Sequence, residues 1–208
     1  MILDTATAVA WIRRAYELVR ADEARLTRLD TAIGDGDHGA NLTRGLAAAE
    51  IALDEKQPDS AGQALITAGR SLISKTGGAS GPLYGNGFRQ AGKELREEGD
   101  VAAVADALEA MLRGIEELGG ALHGDKTMVD ALAPAVAAFQ TSASATLDLH
   151  AAGQAAVAAA EAGLAATVPM QARKGRASYL GERSIGHEDP GAASTVLILR
   201  ALAEVTAP

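Results

Sequence analysis

Apolar positions recur along most of the chain at spacings of three and four, as in helices that bury one stripe. The clearest run is Val104, Leu108, Met111, Ile115 and Leu118, which steps by 4, 3, 4 and 3. Val9, Ile12, Tyr16 and Val19 mark a first helix over Thr5 to Arg28, with Asp4 or Thr5 as N-cap and Trp11 beside the stripe as a core or interface residue. Further helices are predicted over Gly39 to Lys56, Ser60 to Ser74, and from Pro82 to about Glu97. Asp100 caps a fifth helix that ends at Gly119-Gly120. A sixth carries Val129, Leu132, Val136 and Phe139, with Pro134 as a candidate kink and Thr141 to Thr146 as a polar turn after it. The seventh spans about Leu147 to Thr167, and the eighth runs from Asp189-Pro190-Gly191 to about Val205, with Asp at the N-cap and proline at the first helical position. Val168 to Gly191 has no period, and a loop of that length in a compact domain usually carries function. Alternating β-branched runs are nearly absent. The pattern predicts an all-α fold, an eight-helix antiparallel up-and-down barrel or bundle, in a single domain over residues 1–208.

Composition sharpens this picture. Apolar residues make up 48% of the chain but aromatics only 3%, so small side chains, alanine above all, must let the helices approach closely. A net charge of −8 argues against a nucleic-acid surface. With no cysteine, disulfides, thiolate metal sites and cysteine nucleophiles are excluded. No apolar run is long enough to span a bilayer and no signal peptide is evident at the start, so the expectation is a cytoplasmic protein without a membrane partner.

The densest chemistry lies in Leu29 to Asn41. Asp30, Asp35 and Asp37 are hard oxygen ligands interleaved with Gly34, Gly36 and Gly39, which are expected to let the backbone take positive φ and fold the carboxylates inward. Crowded carboxylates repel one another unless a cation sits between them, and oxygen-only ligands suit Mg²⁺, which commonly shares its shell with phosphates. The competing reading is a solvated Asp/Gly turn with an N-cap. An EF-hand does not fit, because position 12 counted from Asp35 is Leu46.

In an up-and-down bundle alternate helices start at the same end. The Asp loop, the Gly77-Gly78-Ala79-Ser80-Gly81 loop, the Gly124-Asp125-Lys126-Thr127-Met128 turn and the Asp189-Pro190-Gly191 turn therefore gather four positive helix ends around one anion site. Ser80 and the N–H groups beside it suit phosphates. Thr127 and Met128 suit a flat base. Lys174 and Arg176 suit phosphate charge, and His38 suits a phosphate or the orientation of an Asp. Each also has an ordinary structural role open to it: an interhelical turn, a helix cap, a core methionine or a solvated surface charge. Gly87 to Lys93 mimics a P-loop, but Glu94 follows and no strand precedes it, so that reading is rejected.

Taken together, Gly34-Asp35-Gly36-Asp37-His38-Gly39, Gly77 to Gly85, Gly124 to Leu132, Gly175 to Ser184 and Gly186 to Ala192 resemble the nucleotide-binding L subunit of dihydroxyacetone kinase, in the same order over nearly the whole chain. The resemblance implies an eight-helix barrel with ADP or ATP at one end. Asp30, Asp35 and Asp37 would bind two Mg²⁺ ions that bridge the phosphates. His38, Asn41, Ala79 and Ser80 would contact the phosphates, Gly39 and Gly78 would also bind the nucleotide, Thr127 and Met128 would lie near the adenine, and Arg176, Asp189 and Gly191 would complete the site. The family phosphorylates dihydroxyacetone held by a separate K domain. The length of this chain leaves no room for such a domain and favours the phosphotransferase-system type. In that type bound ADP is rephosphorylated in place by a phosphohistidine protein, the M subunit. A split ATP-dependent kinase, a related ketose as acceptor and a homodimer remain open. A helical scaffold and a Mg²⁺-dependent phosphohydrolase are the readings from other classes.

Overall fold

The computed structural model describes residues 2–208. Nine α-helices follow in chain order: α1 (Thr5–Ala21), α2 (Glu23–Ile33), α3 (His38–Lys56), α4 (Ala61–Lys75), α5 (Ser80–Leu95), α6 (Val101–Gly119), α7 (Val129–Thr146), α8 (Leu149–Ala166) and α9 (Pro190–Val205). A 3-10 segment, Arg176–Ser184, lies between the last two. Among the described residues the β pairing is a single antiparallel bridge, Leu3 with Gly99, and no helix is long and apolar enough to cross a membrane.

Consecutive helices pack side by side from α3 to α9, and α1 closes the ring by packing on both α9 and α3. The eight-helix ring of the sequence reading is therefore present. The ninth helix arises because the expected first helix divides at Asp22 (φ −103°, ψ 8°), whose N–H still bonds Leu18 O at 3.1 Å. The second piece, α2, runs on past Arg28 to Ile33, so Asp30 is a helical residue and not a loop residue. Two other boundaries move. Pro82 falls inside the first turn of α5, where its missing N–H costs no helical bond. Thr141 to Thr146 continue α7 instead of forming a turn. Their hydroxyls are satisfied by the helix itself: Thr141, Ser144 and Thr146 each donate to the carbonyl four residues back at 2.9 Å.

The core is built on close backbone approach. Trp11 is buried, donates Nε1–H to Ile198 O at 2.8 Å and meets Phe88 edge-on at 5.5 Å between ring centroids, so it is a core residue. Elsewhere α4 and α5 touch without side chains between them. A Cβ on Gly69 would stand 2.6 Å from Gly85 O, and one on Gly85 would stand 2.6 Å from Gly69 O. One heptad away, Gly62 and Gly92 repeat the contact.

The helix ends sort by capping. At one end Asp4, Ser60, Asp100 and Asp148 accept backbone N–H groups of α1, α4, α6 and α8. At the other end the N-cap positions of α3, α5 and α7, namely Asp37, Ala79 and Met128, make no side-chain capping bond.

The Gly69–Gly85 contact generates a test. Alanine is the better helix former by about 1 kcal/mol. A methyl group against a carbonyl that cannot rotate away costs about 1–3 kcal/mol. Gly69→Ala should therefore lower the urea midpoint, with a net loss of up to about 2 kcal/mol. An unchanged or higher midpoint would show that α4 and α5 separate at little cost.

Candidate functional site

Asp30 organises the site end. In the last turn of α2, its Oδ2 accepts the N–H of Asp37 at 2.8 Å and of His38 at 3.1 Å. These bonds fold the linking loop back on itself and bring Asp35 and Asp37 beside Asp30, with one carboxylate oxygen from each lying within 4.8 Å of the others. The three glycines serve different ends. Gly36 takes φ +76°. Gly34 has a negative φ, and its missing Cβ leaves room for the Asp30 carboxylate. Gly39 sits within α3, where a Cβ would strike Glu23 O and Thr27 Oγ1 of α2. The expected positive φ thus holds at Gly36 alone of the three, and the other two permit close packing. Asp37, at the N-cap position, makes no side-chain bond to α3; the first N–H of that helix goes to Asp30 instead.

The three aspartates border a cavity of about 520 Å³, within the range of small-molecule sites. The starts of α3, α5, α7 and α9 all reach it, as helix parity requires. His38, Gly78, Ala79, Ser80, Thr127, Met128, Arg176, Asp189 and Gly191 line it, together with Lys174. Gly39 and Asn41 do not. Asn41 is buried behind the Gly77–Gly78 turn, and its Oδ1 accepts from Arg44 at 2.6 Å.

The polar groups are held from behind. His38 Nε2 pairs with Ser194 Oγ at 2.9 Å, and Ser194 meets the Tyr84 hydroxyl at 2.7 Å. Tyr84 also reaches Thr195 Oγ1 at 2.8 Å and Gly191 O at 2.9 Å, which ties α5 to the start of α9. Burial lowers the His38 pKa below its ordinary value, against the pull of Asp30 and Asp37, and so favours the neutral ring. Arg176 Nε lies 3.0 Å from Asp35 Oδ2 at the cavity mouth; both side chains are well exposed, so the pair contributes little stability.

Periodicity did not reveal the apolar wall. Pro82, Leu83, Ile115, Leu118 and Ala121 also line the cavity. The sequence reading assigned Ile115 and Leu118 to a buried stripe, yet Leu118 is 54% exposed. Lys126 was also missed as an individual residue. It is 1% exposed with φ +61°, and its Nζ donates to Met170 O (3.1 Å), Ser184 O (2.6 Å) and His187 O (2.6 Å). A cation just ahead of a helix start breaks the usual dipole preference, and that is the signal that would have found it. Asp130, fully buried, accepts Gly124 N–H at 2.6 Å and Thr127 N–H at 2.7 Å and so fixes the same turn.

The DAK2 domain family matches residues 32–204 of the chain. This chain belongs to the DAK2 domain family. The DAK2 domain here is 42% identical over 203 residues to the ADP-binding subunit DhaL of PEP-dependent dihydroxyacetone kinase 1 from Listeria innocua, with 97% of each covered. It is 39% identical over 207 residues to the corresponding ADP-binding subunit of Escherichia coli, with 98% of each covered. L-erythrulose 1-kinase of Mycolicibacterium smegmatis is 38% identical over 210 residues, but the match covers only 36% of that protein. Among solved structures, the dihydroxyacetone kinase of C. freundii in complex with AMP-PNP and Mg²⁺ superposes with a TM-score of 0.73 at 30% identity, over 96% of this DAK2 domain and 34% of that chain.

Asp189 provides a test of the site's electrostatics. Burial pushes its carboxyl from 3.8 up to about 7; the Ala192 N–H pulls it back, Asp130 pushes it further up, and Lys126 opposes. Between about pH 4 and pH 7 the folded state keeps a proton that the unfolded chain has released, so this group's contribution falls as pH rises through that window and then levels. The whole shift is on the order of 4 kcal/mol. In metal-free protein without nucleotide, Asp189→Asn should therefore gain stability relative to the parent between about pH 4 and pH 7. Urea midpoints that stay parallel across that range would contradict the buried charge.

Proposed function

We propose that this chain is the ADP-binding subunit of a phosphoenolpyruvate-dependent dihydroxyacetone kinase. It would hold a Mg²⁺–adenine nucleotide, receive a phosphoryl group from a phosphohistidine M subunit, and pass it to dihydroxyacetone held by a K subunit. The observation that carries the reading is the convergence of Asp30, Asp35 and Asp37 with the starts of α3, α5, α7 and α9 on one cavity. Near end-to-end similarity to ADP-binding subunits supports it over the longer ketose kinases, of which the chain matches about a third.

The residues fit the cofactors. Three crowded carboxylates on hard oxygen donors suit Mg²⁺ and would hold two ions. Bound there, Mg²⁺ would neutralise phosphate charge as a Lewis acid. Asp30 has one oxygen already engaged by two backbone N–H groups, which fixes the direction of the other. The uncapped start of α5, with Ser80, offers backbone donors to phosphate oxygens. Arg176 adds positive charge at the mouth. Thr127 and Met128, with Leu83, Ile115 and Leu118 lining the same cavity, would provide the surface for a flat base. Phosphoryl transfer asks for positioning and charge neutralisation more than for covalent chemistry. No general base is assigned to this chain.

Two measurements test the reading. Saturating Mg-ADP at a thousandfold excess over Kd should add about 4 kcal/mol of stability, seen as a clear rise in Tm, and Asp37→Ala should abolish that rise with its helical circular dichroism intact. A Tm unmoved by Mg-ADP in the parent would overturn the nucleotide site. For turnover, the protein is loaded with radiolabelled ADP and given K and M subunits, phosphoenolpyruvate, the general phosphotransferase proteins and excess unlabelled ADP. Ketone phosphate should form over many cycles with the label retained. Rapid exchange of label, or ketone phosphorylation from ATP without the M subunit, would point to an ATP-dependent kinase instead.

A further inference from the structure

The segment between α8 and α9 has few apolar anchors. Its ends are pinned, by Gly186 N–H on Val168 O at 2.8 Å and by Asp189 N–H on Thr167 Oγ1 at 3.0 Å. Between these ties the chain leaves the ring, lays Lys174, Gly175, Arg176 and Ala177 along the cavity, and returns through the 3-10 turns. Non-helical backbone of this kind leaves carbonyls without partners. Three of them, Met170, Ser184 and His187, point at one atom, Lys126 Nζ.

The position of Lys126 is costly. Its ammonium is desolvated, its backbone is left-handed, and it precedes the positive end of α7. The stability of α7 gains nothing from any of these. What offsets the cost is a full set of charge-assisted bonds, all three donors spent on the 168–187 segment. Asp125 O adds a parallel tie by accepting Arg173 N–H at 3.0 Å. The turn carrying Lys126 also carries Thr127 and Met128 on the cavity wall, so one short stretch joins the base side of the site to the segment bearing Arg176.

We propose that Lys126 is a positioning residue that holds the 168–187 segment along the cavity and thereby sets how long a nucleotide stays bound. This rests on the nucleotide reading above. Lys126 itself borders the cavity, but its three donors are spent on the segment, so it acts through the segment and through Arg176.

The test uses the full chain. Lys126→Met keeps the unbranched stem and removes the donors. Hydrogen exchange without nucleotide should show lost protection at the amides of Ala172, Arg173 and Gly186, with α1, α4 and α5 unchanged. With Mg²⁺ present, release of a fluorescently labelled ADP should quicken at least about tenfold, while its association rate constant stays within about twofold; a general loss of structure would lower association and protection everywhere. In an Arg176→Ala background, Lys126→Met should add much less than it does alone, because the segment has already lost its grip. If Lys126→Met does not fold, Ser184→Ala replaces it. That variant removes the hydroxyl joining Ala172 N–H to Gly181 O and should act in the same direction more weakly. Unchanged release and unchanged local protection, or full additivity with Arg176→Ala, would overturn the proposal. Failure of the parent protein to bind labelled ADP would instead overturn the nucleotide reading, with the exchange pattern still reporting on the tether.

Discussion

A carboxylate on the last turn of one helix that accepts the first N–H groups of the next is a small hinge pin, and the site end of this protein turns on one. Asp30 takes the N–H of Asp37 and of His38. Without that pin the Gly34–Asp37 loop has no reason to fold Asp35 and Asp37 toward Asp30, since their charges alone would drive them apart. Two backbone donors offset part of the repulsion, and a divalent cation is suited to offset the rest. The same bonds fix where α3 begins, and hence where His38 faces.

The ring supplies the second condition. Helices packed through glycine and alanine have little freedom to slide, because the contacts are backbone on backbone. Short antiparallel links then force alternate helix starts to one end. The four starts at the opposite end are closed by an N-cap Asp or Ser side chain, whereas the N-cap residues of three of the four at the cavity make no such bond, with Asp30 and Thr127 Oγ1 instead taking the first N–H of α3 and of α7. The exception is α9, where Asp189 caps through Ala192. The start of α5 has no side-chain cap and borders the cavity, which leaves its backbone donors to an anion there.

Much of this was legible in the sequence, for identifiable reasons. Asp caps, glycine stops and period-3.6 stripes gave the ring, and helix parity gave the convergence of the loops. The break at Asp22 was not legible, because Asp22 keeps an ordinary helical N–H bond and sits among good helix formers. The polar end of α7 was misread because serine and threonine hydroxyls that bond their own helix look, in sequence, like those of a turn. Periodicity assigned Leu118 to the inner face but could not say that this face runs out of partners at the end of the ring. Asn41 and Gly39 carry residue types suited to phosphate contact, yet the structure uses them behind the wall. The role of Lys126 depends on carbonyls of residues far along the chain, which no local pattern encodes.

The hydroxyls behind His38 also have a consequence for where protons sit. Tyr84, Ser194 and Thr195 all lie within donor range of Gly191 O, at 2.9, 3.0 and 2.9 Å. A carbonyl has two lone pairs, so at least one of the three hydroxyl hydrogens must turn elsewhere. Ser194 has a nitrogen acceptor at hand in His38 Nε2. When the Ser194 hydrogen takes that direction, a neutral His38 must carry its own proton on Nδ1, and the ring becomes a donor on its other edge. When the Ser194 hydrogen points to Gly191 O instead, a neutral His38 carries its proton on Nε2 and donates to Ser194 Oγ, a change that needs the ring proton to exchange between the two nitrogens as well as the hydroxyl to rotate. The imidazole tautomer is thus coupled to the rotor of Ser194, which competes with Tyr84 and Thr195 for one carbonyl, and His38 can meet either an acceptor or a donor from the same fixed position.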